Sequence, residues 1–127
     1  MINFKKNQDI QLTKNFNSKE IQCKCQGLDC VNQKISKEHM EKLQTLRDRV
    51  GKLKITSAFR CEAHNKKVGG SSKSTHKLGL ATDIVPLEMS IKEVLKICMG
   101  LFNGVGDYSS RGFIHVDSRS SKVYFKG

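Results

Sequence analysis

Two helical patterns, with strand-like segments between and after them, constrain the fold of this chain more than any other feature. Apolar residues recur at helical spacing over residues 36 to 50, between Ser36, a good N-cap, and Gly51, a good stop. A second pattern of this kind covers residues 91 to 103, where Ser90 opens a capping box. The sequence therefore predicts two main helices.

The segments outside these helices predict a sheet. Period-two or apolar patterns indicate four strands, over residues 53 to 59, 81 to 85, 113 to 118 and 123 to 125. Two of these strands follow the second helix with a short connection, which favours antiparallel pairing over a doubly wound sheet. We therefore expect an α+β fold, with a mainly antiparallel sheet packed against the two main helices.

Length and composition indicate one domain. The chain has 127 residues and no internal repeat or linker-like tract, and single cores commonly organise roughly 100 to 150 residues. We expect one domain over residues 1 to 127, with a basic N-terminal segment over residues 1 to 15. No apolar run is long enough to span a bilayer, and residues 1 to 14 lack the apolar core of a signal peptide. Synthesis in the cytoplasm without a signal peptide, and no membrane insertion, are the expectations.

A strong excess of positive charge predicts an anionic polymer as a partner. Lysine and arginine outnumber aspartate and glutamate by 23 to 12, which gives a formal net charge of +11. Nucleic acid and the bacterial cell wall are the two polymers to consider. Because only six Phe and two Tyr serve core and surface together, a stacking platform for single-stranded nucleic acid is disfavoured. We therefore expect anionic cell-wall polymer as a partner, with no specific nucleic acid.

Five cysteines raise the question of a second kind of site. Their odd number, without a signal peptide, disfavours a complete disulfide framework. Three of them, Cys23, Cys25 and Cys30, lie close together in a polar segment, and Cys61 could complete a four-thiolate structural zinc site. Reduced thiols, or a disulfide among these four, are the alternatives. Cys98 lies in a helical apolar pattern and is expected in the core.

One short segment carries residues typical of a catalytic metal site. His76 stands seven residues before Asp83. Histidine and carboxylate groups are the usual ligands of a catalytic zinc, which binds three protein groups and leaves one position open. His115 is the natural third candidate, in the predicted strand that also contains Asp117. Strand residues two apart share a face, so we expect His115 and Asp117 to point the same way.

The other two histidines are interpreted as ordinary surface residues. His39 lies on the polar side of the first predicted helix, and His64 lies in a polar turn. The glycine- and serine-rich loop over residues 66 to 77 is too polar for a core, and loops of this kind often carry function.

Three motifs together resemble a known family. The motif S-x-H-x-x-G-x-A-x-D is matched in full by Ser74, His76, Gly79, Ala81 and Asp83. Residues 56 to 70 are similar to S-G-Y-R-C-x-x-H-N followed by V-G-G, and residues 104 to 117 to G-x-G-x-Y followed by F-x-H-V-D. On these residues the chain resembles the zinc D-Ala-D-Ala carboxypeptidases and L-alanyl-D-glutamate endopeptidases of bacteria and phages, in particular their small phage-type branch. The resemblance covers about residues 16 to 127.

The resemblance implies a fold, a metal site and a substrate-binding residue. The family shares its fold with the D-alanyl-D-alanine dipeptidases and the hedgehog signalling domain. It implies one catalytic zinc, held by His76, Asp83 and His115. It also implies that Arg60 holds the carboxylate or the scissile carbonyl of the substrate, a role that suits a planar guanidinium. Ser74 is expected either to bind the substrate or to stabilise its loop.

The chain departs from the family at the general base. Many relatives place a Glu, Asp or His two or three residues before the last histidine ligand, to take a proton from the attacking water. Gly112 and Phe113 occupy those positions here and cannot do so. Asp117 is the expected replacement, with Asp107 in reserve. The alternative for Asp117 is a carboxylate that orients a ligand histidine.

These inferences predict a zinc-dependent hydrolase that cleaves peptidoglycan stem peptides, as a D-Ala-D-Ala carboxypeptidase or an L-Ala-D-Glu endopeptidase. A phage or prophage endolysin that acts at the bacterial cell wall fits the small size and the positive charge. Two alternatives stay open. One is a non-catalytic zinc-stabilised binding domain, and the other is a basic nucleic-acid-binding domain whose cysteines hold a zinc.

Overall fold

Nine strands and four α-helices make up the protein, in a computed structural model that describes residues 1–127. In chain order they are β1 (Ile2–Lys5), β2 (Gln11–Thr13), β3 (Phe16–Asn17), α1 (Ser18–Ile21), β4 (Asn32–Ile35), α2 (Lys37–Val50), β5 (Leu53–Ser57), α3 (Glu62–Lys67), β6 (Ala81–Pro86), α4 (Ile91–Leu101), β7 (Gly104–Tyr108), β8 (Phe113–Asp117) and β9 (Val123–Lys126). The α+β class predicted from the sequence is confirmed. None of the helices has the length and apolar character needed to cross a membrane.

Five strands form the main sheet, in the order β5-β6-β8-β7-β9. Neighbouring strands are antiparallel, except that β7 and β9 run parallel. Two small antiparallel pairs, β1 with β4 and β2 with β3, lie outside this sheet. All four predicted strands are present in the main sheet, with ends that differ from the predicted ones by at most two residues.

The two main helices begin at side-chain caps, as predicted. The Ser36 hydroxyl accepts a hydrogen bond from the His39 N–H at 3.1 Å, and Gly51 ends α2 with a φ of 85°. Ser90 caps α4 in the same way, by accepting from the Glu93 N–H at 3.3 Å. The Glu93 carboxylate contacts the Ser90 hydroxyl at 3.1 Å. In the predicted capping box, Glu93 would accept a hydrogen bond from the backbone N–H of Ser90. Here it accepts one from the Ser90 hydroxyl instead.

One face of the main sheet packs against α2 and α4 around a core of 18 buried residues. Along β8, Ile114 and Val116 belong to this core. Because alternate residues of a strand face opposite sides, His115 and Asp117 lie on the face away from the helices. That face is free to carry a polar site. Cys98 of α4 is fully buried in the core, as its helical pattern predicted.

Seven of the elements were not predicted from the sequence, and four of them, β2, β3, α1 and β4, lie before α2. The N-terminal segment, expected only as a basic tail, folds as β1 and pairs with β4, with Ile2 opposite Ile35 and Phe4 buried. Gly104–Tyr108 forms β7, which lies between two strands of the main sheet. Glu62–Lys67 forms α3, where the sequence indicated a turn and the start of a loop.

The prediction that His39 is a surface residue is wrong. His39 is fully buried between α2 and the sheet, where Nδ1 lies 2.8 Å from the Ser118 hydroxyl and Nε2 lies 3.0 Å from the Thr82 hydroxyl. Burial lowers the pKa of His39 to about 3. His39 stands four residues before Leu43 and seven before Leu46, so it lies on the buried stripe of α2 and not on its polar side. His64, predicted in a turn, is half-buried on α3.

Candidate metal centre

Three side chains predicted to bind a metal converge on the face of the main sheet away from the helices. The register between β6 and β8 places Asp83 directly opposite His115, and His76 lies in the turn before β6. The Oδ1 atom of Asp83 lies 3.2 Å from Nε2 of His76 and 3.1 Å from Nδ1 of His115. All three residues are buried. They form one compact set of ligand atoms.

The second nitrogen of each histidine ring has an acceptor of its own. Nδ1 of His76 lies 2.7 Å from the Ala58 carbonyl oxygen, and Nε2 of His115 lies 2.7 Å from Oδ2 of Asp117. Because a carbonyl or carboxylate oxygen only accepts hydrogen bonds, each of these nitrogens carries a proton. In the neutral rings, the nitrogens that face Asp83 therefore present lone pairs.

This set of atoms fits a zinc ion. When both rings are neutral, three lone-pair atoms face one another with no hydrogen atom between them, and a bound cation would hold them together. Zinc bonds of about 2.0 to 2.1 Å in a tetrahedron place neighbouring ligand atoms roughly 3.3 Å apart. The two distances from Asp83 Oδ1, 3.1 and 3.2 Å, are close to that spacing. Three protein ligands also leave a fourth position open, as in catalytic sites.

The charge of the site favours a cation as well. Burial alone would raise the pKa of Asp83, but interactions with the facing rings of His115 and His76 outweigh burial and hold the pKa well below its usual range. Burial would lower the pKa of His115, but the carboxylates of Asp117 and Asp83 raise it above its ordinary value. Both carboxylates are therefore anionic at neutral pH.

Asp117 lies behind His115 and does not face the cleft. It is fully buried, and its Oδ2 accepts hydrogen bonds from the His115 ring and from Arg119 Nη2, both at 2.7 Å. Its Oδ1 accepts from Arg119 Nε at 2.8 Å. Burial would raise the pKa of Asp117, but Arg119 and His115 hold it well below its usual range. A carboxylate bound in this way is suited to orient a ligand histidine. The general-base role of Asp117 stays a prediction.

Asp107, the reserve candidate for the base, lies on the opposite face of the sheet. It pairs with Ile114, whose side chain is in the core, and its Oδ2 accepts a hydrogen bond from the Tyr124 hydroxyl at 3.2 Å. Strand alternation places His115 on the other face. Asp107 therefore cannot reach the metal ligands.

Arg60 lies beyond the end of β5 and directs its guanidinium toward the ligand set. Nη2 lies 3.5 Å from Oδ2 of Asp83, while Nε donates to the Ser57 hydroxyl at 3.1 Å and Nη1 donates to Oδ1 of Asn65 at 3.2 Å. Asn65 is itself held, because its Nδ2 donates to the Ser71 carbonyl at 2.8 Å. The positive charge is thus fixed beside the metal ligands, where an anionic group of a substrate can meet it.

Ser74 stabilises the turn that carries His76. Its hydroxyl accepts a hydrogen bond from the His76 N–H at 3.2 Å. Of the two roles expected for Ser74, this contact favours support of the loop. Ser74 also lines the cleft in front of the ligands.

The ligand set opens into a cleft of about 510 Å³. Aromatic rings form part of its wall. The rings of Tyr108 and Phe113 stack with their centroids 4.6 Å apart, and the ring of Phe125 lies 5.5 Å from the ring of His115. The cleft therefore offers an apolar surface next to the ligands, suited to the carbon chain of a peptide.

The charged lining of the cleft is basic. It consists of Arg60, Lys73, Arg111, Arg119 and the ligand Asp83. Such a lining attracts anionic substrates. The only histidines among the lining residues are the ligands His76 and His115, so the cleft offers no free carboxylate or imidazole as a general base.

Sequence reasoning did not single out Arg119. Strand alternation from His115 to Asp117 reaches Arg119 after two more residues, so a signal for it was available. Asn65, Tyr108 and Phe113 belong to the motifs that carry the family resemblance, but their contacts in the site were not predicted. The contact of Asn65 with Arg60 depends on α3, which the sequence did not predict.

A second set of ligand atoms lies apart from the first. Sulfur atoms of four cysteines come within 4.8 Å of one another: Cys23, Cys25, Cys30 and Cys61. Cys98 is not part of this cluster. Burial raises the pKa of Cys98 to about 12, so its thiol is an unreactive part of the core.

Comparison with known proteins connects this geometry to a family. Residues 14–117 match the family model described as Peptidase M15. A search of curated proteins gave no match. The matched range contains both sets of ligand atoms, Arg60 and the strands β5 to β8.

Proposed function

The chain belongs to the peptidase M15 family, and on this premise we propose that it is a zinc metallopeptidase that hydrolyses the peptides of bacterial peptidoglycan. The observation that carries the proposal is the set of three lone-pair atoms around Asp83, open to a cleft on one side. The proposed catalytic domain comprises residues 1 to 127, because β1 pairs with β4 and so ties the N-terminal segment to the rest.

His76, Asp83 and His115 are the proposed zinc ligands. Zinc bound there would supply a Lewis acid that acidifies water and polarises the scissile carbonyl. The protein contributes the orientation of the ligands. Ala58 holds the ring of His76 and Asp117 holds the ring of His115, each through a 2.7 Å hydrogen bond.

Arg60 is the proposed substrate-binding residue. Its guanidinium is fixed by Ser57 and Asn65 and stands 3.5 Å from Asp83. A fixed planar cation can bind a substrate carboxylate through paired hydrogen bonds, or stabilise negative charge that develops on a carbonyl oxygen. Stem peptides of peptidoglycan carry free carboxylates, which suits the basic lining of the cleft.

The proposed setting is the bacterial cell wall, with the protein acting as a phage or prophage endolysin. A net charge of +11 favours adsorption to anionic wall polymer. Two bonds are candidates for cleavage: the terminal D-Ala-D-Ala bond and the L-Ala-D-Glu bond. Both place a carboxylate close to the scissile bond, and the basic cleft is compatible with either.

One observation favours a second candidate function, a zinc-stabilised domain that binds wall peptides without cleaving them. The cleft lining contains no free carboxylate or imidazole that could accept a proton from water. Asp117 is buried behind His115, and Asp107 lies on the other face of the sheet. The metal set and Arg60 would then serve binding alone.

Digestion of purified peptidoglycan by the zinc-loaded protein tests both candidates, with the released fragments identified by mass. Loss of a terminal D-alanine identifies the carboxypeptidase, and cleavage between L-Ala and D-Glu identifies the endopeptidase. His76→Ala should abolish either product. Lys92→Ala, at an exposed position of α4, should retain it. If the protein binds zinc but releases no fragment from any type of peptidoglycan, the peptidase proposal is overturned and the binding-domain proposal is retained.

A further inference from the structure

The four clustered cysteines come from three separate parts of the chain. Cys23 and Cys25 follow α1, Cys30 lies shortly before β4, and Cys61 is the N-cap residue of α3. The Sγ atom of Cys61 lies 3.7 Å from that of Cys23 and 3.8 Å from that of Cys25. A zinc tetrahedron with Zn–S bonds of about 2.3 Å has sulfur atoms about 3.8 Å apart. These two distances match the spacing in a four-thiolate zinc site, and the remaining sulfur pairs lie within 4.8 Å.

Each of the four sulfur atoms also faces an N–H donor. Backbone N–H groups serve two of them: that of Cys61 donates to Cys23 Sγ, and that of His64 donates to Cys61 Sγ, both at 3.4 Å. Side chains serve the other two. Lys6 Nζ donates to Cys25 Sγ and Gln33 Nε2 donates to Cys30 Sγ, again at 3.4 Å. Sulfur atoms that all accept hydrogen bonds are suited to the thiolate form, which is the form that binds zinc.

Disulfide bonds account for this arrangement less well. A disulfide joins two sulfur atoms at about 2.05 Å and leaves other thiols at a distance. Here Cys61 is almost equally far from Cys23 and from Cys25, at 3.7 and 3.8 Å. All four sulfur atoms stay within 4.8 Å of one another. A shared central ion explains a compact group of four sulfur atoms better than separate pairs do.

We propose that Cys23, Cys25, Cys30 and Cys61 bind a second zinc ion, with a structural role. Four protein ligands close the coordination shell and leave no position for a substrate. A zinc ion with four thiolates carries a net charge of −2, and the ammonium group of Lys6, which contacts both the Sγ and the carbonyl oxygen of Cys25, offsets part of it.

This ion would join the N-terminal part of the chain to the substrate-binding side of the cleft. Cys61 is adjacent to Arg60, and it opens α3, which carries Asn65, the partner of Arg60. The segment from Cys23 to Cys30 has no helix or strand of its own. Zinc would add a cross-link to α3 to the hydrogen bonds that Lys6 and Gln33 make with this segment. The site does not depend on whether the protein cleaves peptides.

Metal content, measured on protein purified under reducing conditions, tests the proposal without any assay of activity. We expect two zinc ions per chain in the wild type and one in His76→Ala. Cys25→Ser should also retain one. Cys98→Ser is the matched control, since Cys98 lies in the core away from the cluster, and it should retain two. If the wild type binds a single zinc ion and His76→Ala binds none, the proposal is overturned.

Cobalt substitution in His76→Ala provides a second test that leaves every cysteine in place. Cobalt bound in the cluster should give the intense thiolate-to-metal absorption of a four-sulfur tetrahedral site. The ion should also protect four thiols from alkylation until a chelator is added. Absence of this absorption, or a mass that reveals disulfides in the reduced and purified protein, would reject the site even if Cys25→Ser fails to fold.

Discussion

At the residue scale, the groups behind the two ligand histidines decide which nitrogen atoms are free to bind a metal. The Ala58 carbonyl and the Asp117 carboxylate accept hydrogen bonds from ring N–H groups of His76 and His115, at 2.7 Å in each case. Partners of this kind fix the tautomer and the orientation of a ligand ring and raise its basicity. Asp117 is itself held by Arg119. His115 is therefore oriented by a buried carboxylate that is itself paired with the half-buried Arg119.

Asp117→Asn should weaken zinc binding by roughly 10-fold to 100-fold, the usual effect of losing a partner of a ligand histidine. The amide keeps the size of the carboxylate but lacks its charge. Zinc affinity can be measured by competition with a chelator, with circular dichroism to check the fold. Asp107→Asn is the matched control on the opposite face of the sheet, and its zinc affinity should equal that of the wild type.

The outcome of that measurement also decides between two roles for Asp117. If zinc affinity stays at the wild-type value while peptide hydrolysis is lost, Asp117 acts as the general base after all. A loss of zinc affinity together with hydrolysis is the result expected from its buried contact with His115.

His39 should make the protein less stable as the pH falls. Its pKa is about 3 in the folded protein and about 6.5 in an unfolded chain. Below about pH 6.5 the unfolded chain binds a proton that the folded protein excludes, so stability is complete above that pH and declines toward pH 3. The expected slope in this window is about 1.4 kcal/mol per pH unit.

Urea unfolding at a series of pH values, for the wild type and for His39→Gln, isolates this effect. Asp83 and Asp117 have lowered pKa values in the fold, so their contribution is lost only below the ordinary carboxylate pKa. Between about pH 6.5 and pH 4 the variant should therefore show the smaller slope. Equal slopes for the two proteins would mean that His39 can take up a proton without leaving its buried position.

Residue-scale features could be predicted from the sequence where a local motif contained them. His76 and Asp83 are seven residues apart in one segment, and strand alternation linked His115 to Asp117. Burial was harder to infer. His39 was assigned to the polar side of its helix, although its spacing from Leu43 and Leu46 places it on the buried stripe. Its two hydroxyl partners come from the tertiary fold alone.

At the element scale, the pairing of β7 with β8 brings Gly104 against Asp117. A Cβ atom on Gly104 would collide with the Asp117 carboxylate. The absence of a side chain at this point of β7 therefore gives Asp117 the space from which it contacts His115. The strand thus supports the metal site although it contributes no ligand.

Gly104→Ala should displace Asp117, lower zinc affinity, and cost about 1 to 3 kcal/mol of unfolding free energy, as overpacking usually does. Gly100→Ala is the matched control. Gly100 lies in α4, where a Cβ atom meets nothing within 4 Å, and alanine should raise stability by about 0.5 to 1 kcal/mol. Chelator competition and urea unfolding measure the two quantities. Unchanged zinc affinity in Gly104→Ala would show that Asp117 can move without affecting His115.

Elements could be predicted where the apolar pattern was long and the ends were marked. Helices α2 and α4 have both features, with Ser36 and Ser90 as caps. Strand β1 has only four residues, and its partner β4 lies about 30 positions further along the chain. Strand β7 contains Gly104 and Gly106, and glycine is a poor strand former. These elements depend on long-range pairing, which local patterns do not reveal.

At the scale of the whole molecule, the protein has two proposed metal sites, one on the main sheet and one beside it. The proposed zinc ligands lie on β6, on β8 and in the turn before β6, while the cysteine cluster lies beside the start of α3. Arg60 is adjacent to Cys61 in the chain, and its guanidinium lies 3.5 Å from Asp83. Around this frame the protein carries a net charge of +11. A surface with this excess of positive charge should concentrate the protein on an anionic polymer before any peptide enters the cleft.

Binding to the cell wall should therefore weaken as salt is added. The Debye length falls from about 10 Å at 0.1 M salt to about 3 Å at 1 M, so attraction between the basic surface and anionic wall polymer should be largely lost over that range. Co-sedimentation of zinc-loaded His76→Ala with purified walls measures binding without digestion. Lys92→Glu combined with Lys96→Glu, both exposed on α4, should bind less at 0.1 M salt than Lys92→Arg combined with Lys96→Arg. If binding is unchanged by salt and by removal of the anionic polymer from the walls, contacts in the cleft and not the overall charge hold the protein on its substrate.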